Sequence, residues 1–359
     1  MSQRPLVSVC LPVFNGARYL AQAVEAVLAQ TYTDFELVIR DDNSTDDSRK
    51  ILQKYEQLDT RVRYEENAQR LGLFQNYNEC MRAAKGSYIK LYAQDDLLEP
   101  TAVEKMVTVL EQHEDVSLVT CSKRWIDSEN QEIERFCRFK KDEKISSSLT
   151  IMANLVCLNN WVGEPSTAMF RSRDIGDGFD TDLYHWGDID YWFRILQAGS
   201  LYVINDVLCS FRRHDESTTS ANLEGLYFVA DIVRMWKNWH RYLEDLGEDE
   251  EHFFKRAVEK IALHVNHLVE KERLTVDRVR QANPRKQSSF TPEAVADFRE
   301  GLFYAERRIT SLIEELIATQ NELEHRVGEC RELRAAVEQM QNSVSWKVTA
   351  PLRFVRTKI

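Results

Sequence analysis

The chain predicts an α/β fold, a mainly parallel sheet with helices on both faces, followed by a helical region and a coiled coil. Three observations predict it. Short β-rich apolar runs alternate with segments of helical periodicity through residues 6–121. Pairs of acids, Asp41-Asp42 and Asp95-Asp96, stand directly after two of those runs. From about Phe298 the composition shifts to Glu, Arg, Gln and Leu, with apolar residues three and four apart.

Leu6 to Pro12 is the first β-rich run. Tyr19 to Gln30 is helical, with Leu20, Val24, Val27 and Leu28 on one face. Phe35 to Arg40 forms a second strand that ends at Asp41-Asp42-Asn43-Ser44-Thr45-Asp46, and a helix follows over 47–58. Val62 to Glu65 is a short strand, and Phe74 to Ala84 a helix closed by Gly86. Next come the strand beginning at Tyr88, a helix over 101–113 and the strand Val116 to Cys121. Residues 125–220 are less regular and carry Trp125, Trp161, Trp186 and Trp192; they read as the acceptor-side half of the same unit. The expected organisation is a catalytic domain over 1–220, a helical extension over 221–290, a coiled coil over 295–342 and a basic amphipathic tail over 343–359.

A chain of 359 residues exceeds one ordinary compact domain, and 43% hydrophobic residues suffice for a substantial core. A formal net charge of -11 argues against nucleic-acid binding. The 7 cysteines contain no Cys-x-x-Cys pair, which fits reduced thiols in a cytosolic protein better than a disulfide framework or a zinc site. Residues 1–20 lack a basic start followed by an apolar core, so no signal peptide is expected. No run approaches the ~18 apolar residues of a membrane-spanning helix.

Two adjacent acids at the carboxyl end of a buried strand repel each other unless a cation lies against them. Oxygen-rich sites of this kind suit Mg²⁺ or Mn²⁺, which bind together with substrate phosphates. In open parallel sheets, ligands collect outside the carboxyl ends of the strands, where both acidic pairs lie. Further down the chain come Gly163-Glu164-Pro165-Ser166, then Trp186-Gly187-Asp188-Ile189-Asp190, then Phe211-Arg212-Arg213-His214.

With Pro12-Val13-Phe14-Asn15 after the first strand, this order of motifs resembles the family 2 inverting glycosyltransferases, which have the GT-A fold. The resemblance covers residues 6–220. It implies that Pro12, Phe14 and Asn15 line the nucleotide pocket of a nucleotide-diphosphate sugar. It implies that Asp42 accepts a hydrogen bond from the base, most often uracil, and that Asp95 meets ribose or metal. Asp96 then ligates a divalent ion, Mn²⁺ or Mg²⁺, that bridges the diphosphate, and His214 reaches the metal or diphosphate. The family's usual metal motif is Asp-x-Asp, and here Gln94 stands in place of its first acid. Asp188 is the implied catalytic base, taking the proton of an acceptor hydroxyl, with Trp186 and Trp192 expected to desolvate it. Asp190 competes for that role, and Glu164 and Trp186 are candidates for acceptor contact. The implied acceptor is a glycan or a lipid-linked saccharide in surface-polysaccharide assembly. Neither a Gln-x-x-Arg-Trp motif nor membrane-spanning helices are present, so transfer of one or a few sugars is expected.

A nucleotidyltransferase would place a Gly-rich, basic loop after the first strand, where Phe14-Asn15-Gly16-Ala17-Arg18 holds one glycine. A dinucleotide-binding oxidoreductase needs Gly-x-Gly-x-x-Gly there. A non-catalytic scaffold, in which the coiled coil is the function, has no need to keep Asp42, Asp96 and Asp188 together. Ile309, Leu312, Leu316, Thr319, Leu323, Arg326, Cys330, Leu333, Val337, Met340 and Val344 form a heptad seam, which predicts a homo-oligomer. Trp346, Leu352, Phe354 and Val355, mixed with Lys347, Arg353, Arg356 and Lys358, suit an anionic membrane surface. The expected location is cytoplasmic, peripheral at the inner face of the cytoplasmic membrane.

Overall fold

The computed structural model describes residues 6–137, 139–214 and 228–244, with single positions at 249, 252, 253 and 257. The predicted coiled coil, the basic tail and most of the predicted helical extension lie outside the described residues. The chain falls into two compact units, Met1–Thr181 with Gly187–Asp215, and Asp182–Trp186 with Glu216–Ile359.

The first unit opens with β1 (Val7–Val13), α1 (Leu20–Leu28), β2 (Phe35–Asp41), α2 (Ser48–Leu58), β3 (Val62–Glu66), α3 (Leu73–Ala83) and β4 (Tyr88–Leu91). It continues with β5 (Leu97–Leu98), α4 (Ala102–Gln112), β6 (Val116–Ile126), β7 (Glu132–Phe136), β8 (Glu143–Ile145) and α5 (Ser147–Cys157). It closes with β9 (Met169–Arg171), α6 (Gly187–Ile195) and β10 (Ser200–Arg212). The sheet order is β3-β2-β1-β4-β9-β6-β10-β5, with β7 on β6 and β8 on β10. β1 runs parallel to β2 and β4, β2 to β3, and β6 to β10. β9 is antiparallel to both β4 and β6, so those two point the same way. The long strands therefore deliver their carboxyl ends to one edge. Of the short antiparallel strands, β7, β8 and β9 fall within residues 125–220, where the sequence is less regular, and β5 directly follows Asp96.

β1 is buried at every position, as a strand covered on both faces must be. Val7, Val9, Leu11 and Val13 share a core with Leu20, Ala23, Val24 and Val27 of α1 and Val103, Met106 and Leu110 of α4. Burying each such Val or Leu contributes about 1.5–3 kcal/mol. β6 extends five residues past the predicted Cys121, through Ser122, Lys123 and Arg124 to Ile126. Its polar residues interrupt the apolar run, but β10 supplies the ladder across three register shifts.

In the second unit, α7 (Phe228–Trp239) lies within the predicted helical segment. Its buried Asp231 accepts hydrogen bonds from the backbone N–H groups of Tyr184 (3.0 Å), His185 (2.6 Å) and Trp186 (2.8 Å). Burial is the main cause that pushes the Asp231 carboxyl up to about 6. Among the described residues no helix is long and apolar enough to cross a membrane.

Candidate active site

The loop after β1 is held by its neighbours rather than by itself. Asn15 takes a left-handed conformation (φ 48°), which asparagine tolerates better than most residues. Its Oδ1 accepts the Thr45 N–H at 2.8 Å, and its own N–H donates to Ser44 Oγ at 2.9 Å. The N–H of Gly16 donates to Ser48 Oγ and that of Ala17 to Asp46 Oδ2, both at 2.9 Å. The Gln94 side chain clamps the Phe14 backbone, accepting its N–H at 2.8 Å and donating to its carbonyl at 3.0 Å. Gly16 is required under this clamp, because a Cβ there would lie 2.4 Å from Gln94 Oε1. Gln94 thus has a fixed structural task. Pro12 is buried at the end of β1, and the exposed Arg70 sets its guanidinium 4.0 Å from the Phe14 ring centroid.

Asp42, only 2% exposed, fastens the loop before α3. Its Oδ1 accepts from Asn67 Nδ2 (3.0 Å) and the Leu71 N–H (2.7 Å), and its Oδ2 from the Gly72 N–H (2.8 Å). A carboxylate offers about four lone-pair sites. These bonds occupy three, leaving one on Oδ2 for a ligand.

Asp95 and Asp96 diverge after β4. Asp95 is half-buried, and its Oδ2 lies 2.9 Å from His214 Nε2, just beyond the end of β10. Asp96 turns inward and is 1% exposed, with its Oδ1 accepting the Arg212 N–H at 2.9 Å. Its Oδ2 is buried without a hydrogen bond of good geometry, although the nearby Ser166 hydroxyl favours the ionised form. Burial first and the Asp95 charge second raise its pKa well above the usual carboxylate range. It is therefore Asp95, not Asp96, whose carboxylate meets the imidazole. The Arg212 side chain is itself buried beneath this pair. It donates to the carbonyls of Asp95 (2.7 Å) and Asp127 (2.9 Å) and lies 4.3 Å from the Tyr19 ring centroid.

Among the described residues no group of three or more His, Cys, Asp and Glu side chains gathers as a self-sufficient metal site. A carboxylate and an imidazole at 2.9 Å, next in sequence to a buried carboxylate whose Oδ2 has no hydrogen bond, fit an ion that takes its remaining ligands from phosphate and water.

Asp188 occupies the first turn of α6. Its Oδ1 accepts the Ile189 N–H and its Oδ2 the Asn160 side-chain N–H, both at 2.8 Å. The residue is half-buried, so its carboxyl is closely surrounded yet reachable. Burial, then the Glu164 charge, push its pKa up to about 7, against smaller opposing effects of the Ile189 N–H and Lys123. Glu164 forms an ion pair with Lys123, late in β6. Asp190 points away from this group into a 2.9 Å ion pair with Arg194, as their i,i+4 spacing permits. Trp192 turns its indole N–H to the Gly163 carbonyl at 2.9 Å, and the Trp186 backbone N–H is bound to Asp231.

The model of the family described as glycosyl transferase family 2 matches residues 8–178. An uncharacterized glycosyltransferase of Rickettsia typhi (strain ATCC VR-144 / Wilmington) is 31% identical over 251 residues, covering 68% of this chain and 74% of the relative. The chain belongs to glycosyl transferase family 2. The Escherichia coli chondroitin synthase is 30% identical over 224 residues, spanning 61% of this glycosyltransferase but 31% of the synthase. Among solved structures, S. aureus TarS 1-349 in complex with UDP-GlcNAc aligns with TM-score 0.51 at 13% identity, covering 77% of this chain and 90% of that one. The mannosyltransferase PcManGT from Pyrobaculum calidifontis, in complex with GDP-Man and Mn²⁺, aligns with TM-score 0.52 at 16% identity, covering 91% and 89%. Both likenesses concern the fold.

Several side chains that contact the candidate residues carry no clear signal in the sequence. Lys90 is fully buried in β4, with its ammonium donating to the carbonyls of Leu91 (2.9 Å), Ser166 and Ala168 (3.3 Å), and burial lowers its pKa. A lysine inside an otherwise apolar strand was the available signal. Arg212 sat within a quoted motif, but nothing local showed that its side chain is buried. Asn160 and Lys123 reach Asp188 and Glu164 across 28 and 41 positions of sequence, a separation that leaves no local pattern.

Proposed function

We propose that this glycosyltransferase moves a sugar, with inversion, from a UDP-linked donor to a hydroxyl of a glycan or lipid-linked acceptor in surface-polysaccharide biosynthesis. The observation that carries the reading is Asp188, a reachable carboxyl with its pKa pushed up to about 7, in the unit whose carboxyl edge also holds Asp95 and His214. An acid with a pKa near the working pH is a strong enough base to accept a hydroxyl proton and is still ionised often enough to do so.

In the proposed reaction the acceptor oxygen attacks the anomeric carbon while its proton passes to a carboxylate oxygen of Asp188. The bond from the anomeric carbon to the diphosphate oxygen breaks with its electron pair on the leaving nucleoside diphosphate, and the anomeric configuration inverts. Asp42 presents its remaining Oδ2 lone pair towards the base, and the Phe14 ring offers an apolar surface beside it. Asp95 and His214 would hold a divalent ion, Mn²⁺ or Mg²⁺, whose charge neutralises the departing diphosphate. Arg212 fixes the Asp95 backbone that presents this pair.

UDP-GlcNAc bound by TarS, GDP-Man and Mn²⁺ bound by PcManGT, and the glycan named for chondroitin synthase support a nucleotide-sugar donor, a metal and a saccharide acceptor. The heptad seam supports self-association. The basic aromatic tail supports a peripheral place at the cytoplasmic face of a membrane.

Thermal-shift titration with UDP-GlcNAc, UDP-glucose and GDP-mannose, with and without Mn²⁺, tests the reading. A Mn²⁺-dependent rise in melting temperature with a UDP-sugar, lost in Asp95→Ala, is expected. Equal shifts with and without Mn²⁺, or shifts unchanged in Asp95→Ala, would contradict the metal assignment.

A further inference from the structure

Asp188 has one local hydrogen bond and one that comes from far away in sequence. The local one, from the Ile189 N–H to Oδ1, belongs to the start of α6. The distant one, from Asn160 Nδ2 to Oδ2 at 2.8 Å, comes from the loop after α5. We propose that Asn160 is a positioning residue for the base, holding Asp188 Oδ2 so that the remaining lone pairs of the carboxylate face the acceptor hydroxyl. This rests on the reading of Asp188 as the base.

The Asn160 amide cannot turn over. Its Oδ1 accepts the Gly163 N–H at 2.8 Å, and its Nδ2 also donates to the Gly163 carbonyl at 3.0 Å. Flipping the amide would face oxygen to oxygen at both Gly163 and Asp188, so these bonds settle which edge of the amide meets the carboxylate. Gly163 holds the turn at φ 119°, and a Cβ there would lie 2.4 Å from Thr167 Oγ1. The same Gly163 carbonyl receives the Trp192 indole N–H at 2.9 Å. Trp192 follows Asp188 by four positions and so shares its face of α6. Asn160, Gly163, Trp192 and Asp188 therefore close a circuit of hydrogen bonds between one loop and one helix. The loop is anchored in turn, because the buried Asn154 side chain accepts the Trp161 N–H at 2.7 Å. Glu164, the next residue along, brings the charge that acts most strongly on Asp188. The loop thus both orients the base and sets its electrostatic surroundings.

Asn160→Asp is the decisive variant. It is nearly isosteric and keeps the acceptor for the Gly163 N–H, but it removes the donor to Asp188. Turnover is read as nucleoside diphosphate released from the nucleotide sugar that the wild type hydrolyses fastest with Mn²⁺, as a function of pH. A loss in kcat on the order of 10²-fold is expected, with KM for the nucleotide sugar little changed. The acid limb of the profile is expected to move up by about one pH unit or more, since a donor is lost and a like charge gained. Asn160→Ala should lower kcat comparably but shift the limb less, because it adds no charge. Wild-type kcat and an unmoved limb in Asn160→Asp, with Asp188→Asn inactive, would overturn the inference alone. Turnover retained in Asp188→Asn would overturn the base assignment beneath it. Melting curves and the Mn²⁺-dependent donor shift on each variant separate a lost fold from a misplaced base.

Discussion

Two halves of the sheet hold their polar side chains in different ways. In the loops after β1 and β2, and at Gln94 beyond β4, side chains bond to backbone. Ser44, Ser48, Asp46, Asp42 and Gln94 together fix the N–H groups of residues 14–17, 71 and 72. In the half built by β6, β9 and β10, charged side chains meet other charged side chains: Lys123 with Glu164, Arg124 with Glu99, and His214 reaching back to Asp95. The backbone-directed bonds hold the loops after β1 and before α3 in one shape. In the second half, burial first and the Glu164 charge second push the Asp188 carboxyl up to about 7, where a general base is useful. In the proposed reaction the first half would hold the donor and the second would move the proton.

Asp188→Asn should break the second half alone. Nucleoside diphosphate release is expected to fall by about 10²–10⁴, the range typical of general base catalysis, with Mn²⁺-dependent donor binding and melting temperature close to wild type. A loss of donor binding in this variant would mean that the two halves do not divide their work in this way.

Lys90→Met sharpens the comparison at the seam, since the Lys90 ammonium joins β4 to the segment of Ser166 and Ala168. The shorter, uncharged side chain leaves buried carbonyls without a donor. A loss of about 3 kcal/mol is expected, seen as a lower denaturation midpoint in urea. A midpoint equal to or above wild type would show that burying the ammonium costs more than its hydrogen bonds return.

The same contrast explains what could be read from the sequence. In residues 6–84 and 101–113 the apolar periods match packing on the nearest strand or helix, and the predicted elements fall within a residue or two of the observed ones; between them β4 ends at Leu91, short of the acidic pair, and β5 was not foreseen. Beyond Val116, β6 runs on through Lys123 and Arg124 because a strand some 80 residues away pairs with it, and no local period announces that. The places of the candidate residues in the fold were legible: Asp42 follows β2, Asp95 follows β4, Asp188 opens α6 and His214 follows β10. Their partners were not. Asp95 rather than Asp96 meets His214, Gln94 serves the Phe14 backbone, and Asn160 holds Asp188, and each of these contacts depends on chain closure.

The most direct test of the account is the pH dependence of wild-type nucleoside diphosphate release at saturating nucleotide sugar and Mn²⁺. Asp188 must be ionised to take a proton, and its pKa is pushed up to about 7. Turnover should therefore rise with pH through about 7 and level off above it. Stability should run the other way. A raised carboxyl pKa contributes stability in full below the unfolded value of about 4, and that contribution is lost as pH climbs through about 7. An acid limb centred near 7 that is absent from the residual activity of Asp188→Asn is the predicted result. Turnover that stays flat from about pH 5 to 8 would contradict the account, since an unperturbed carboxylate, titrating near 4, would already be fully ionised there.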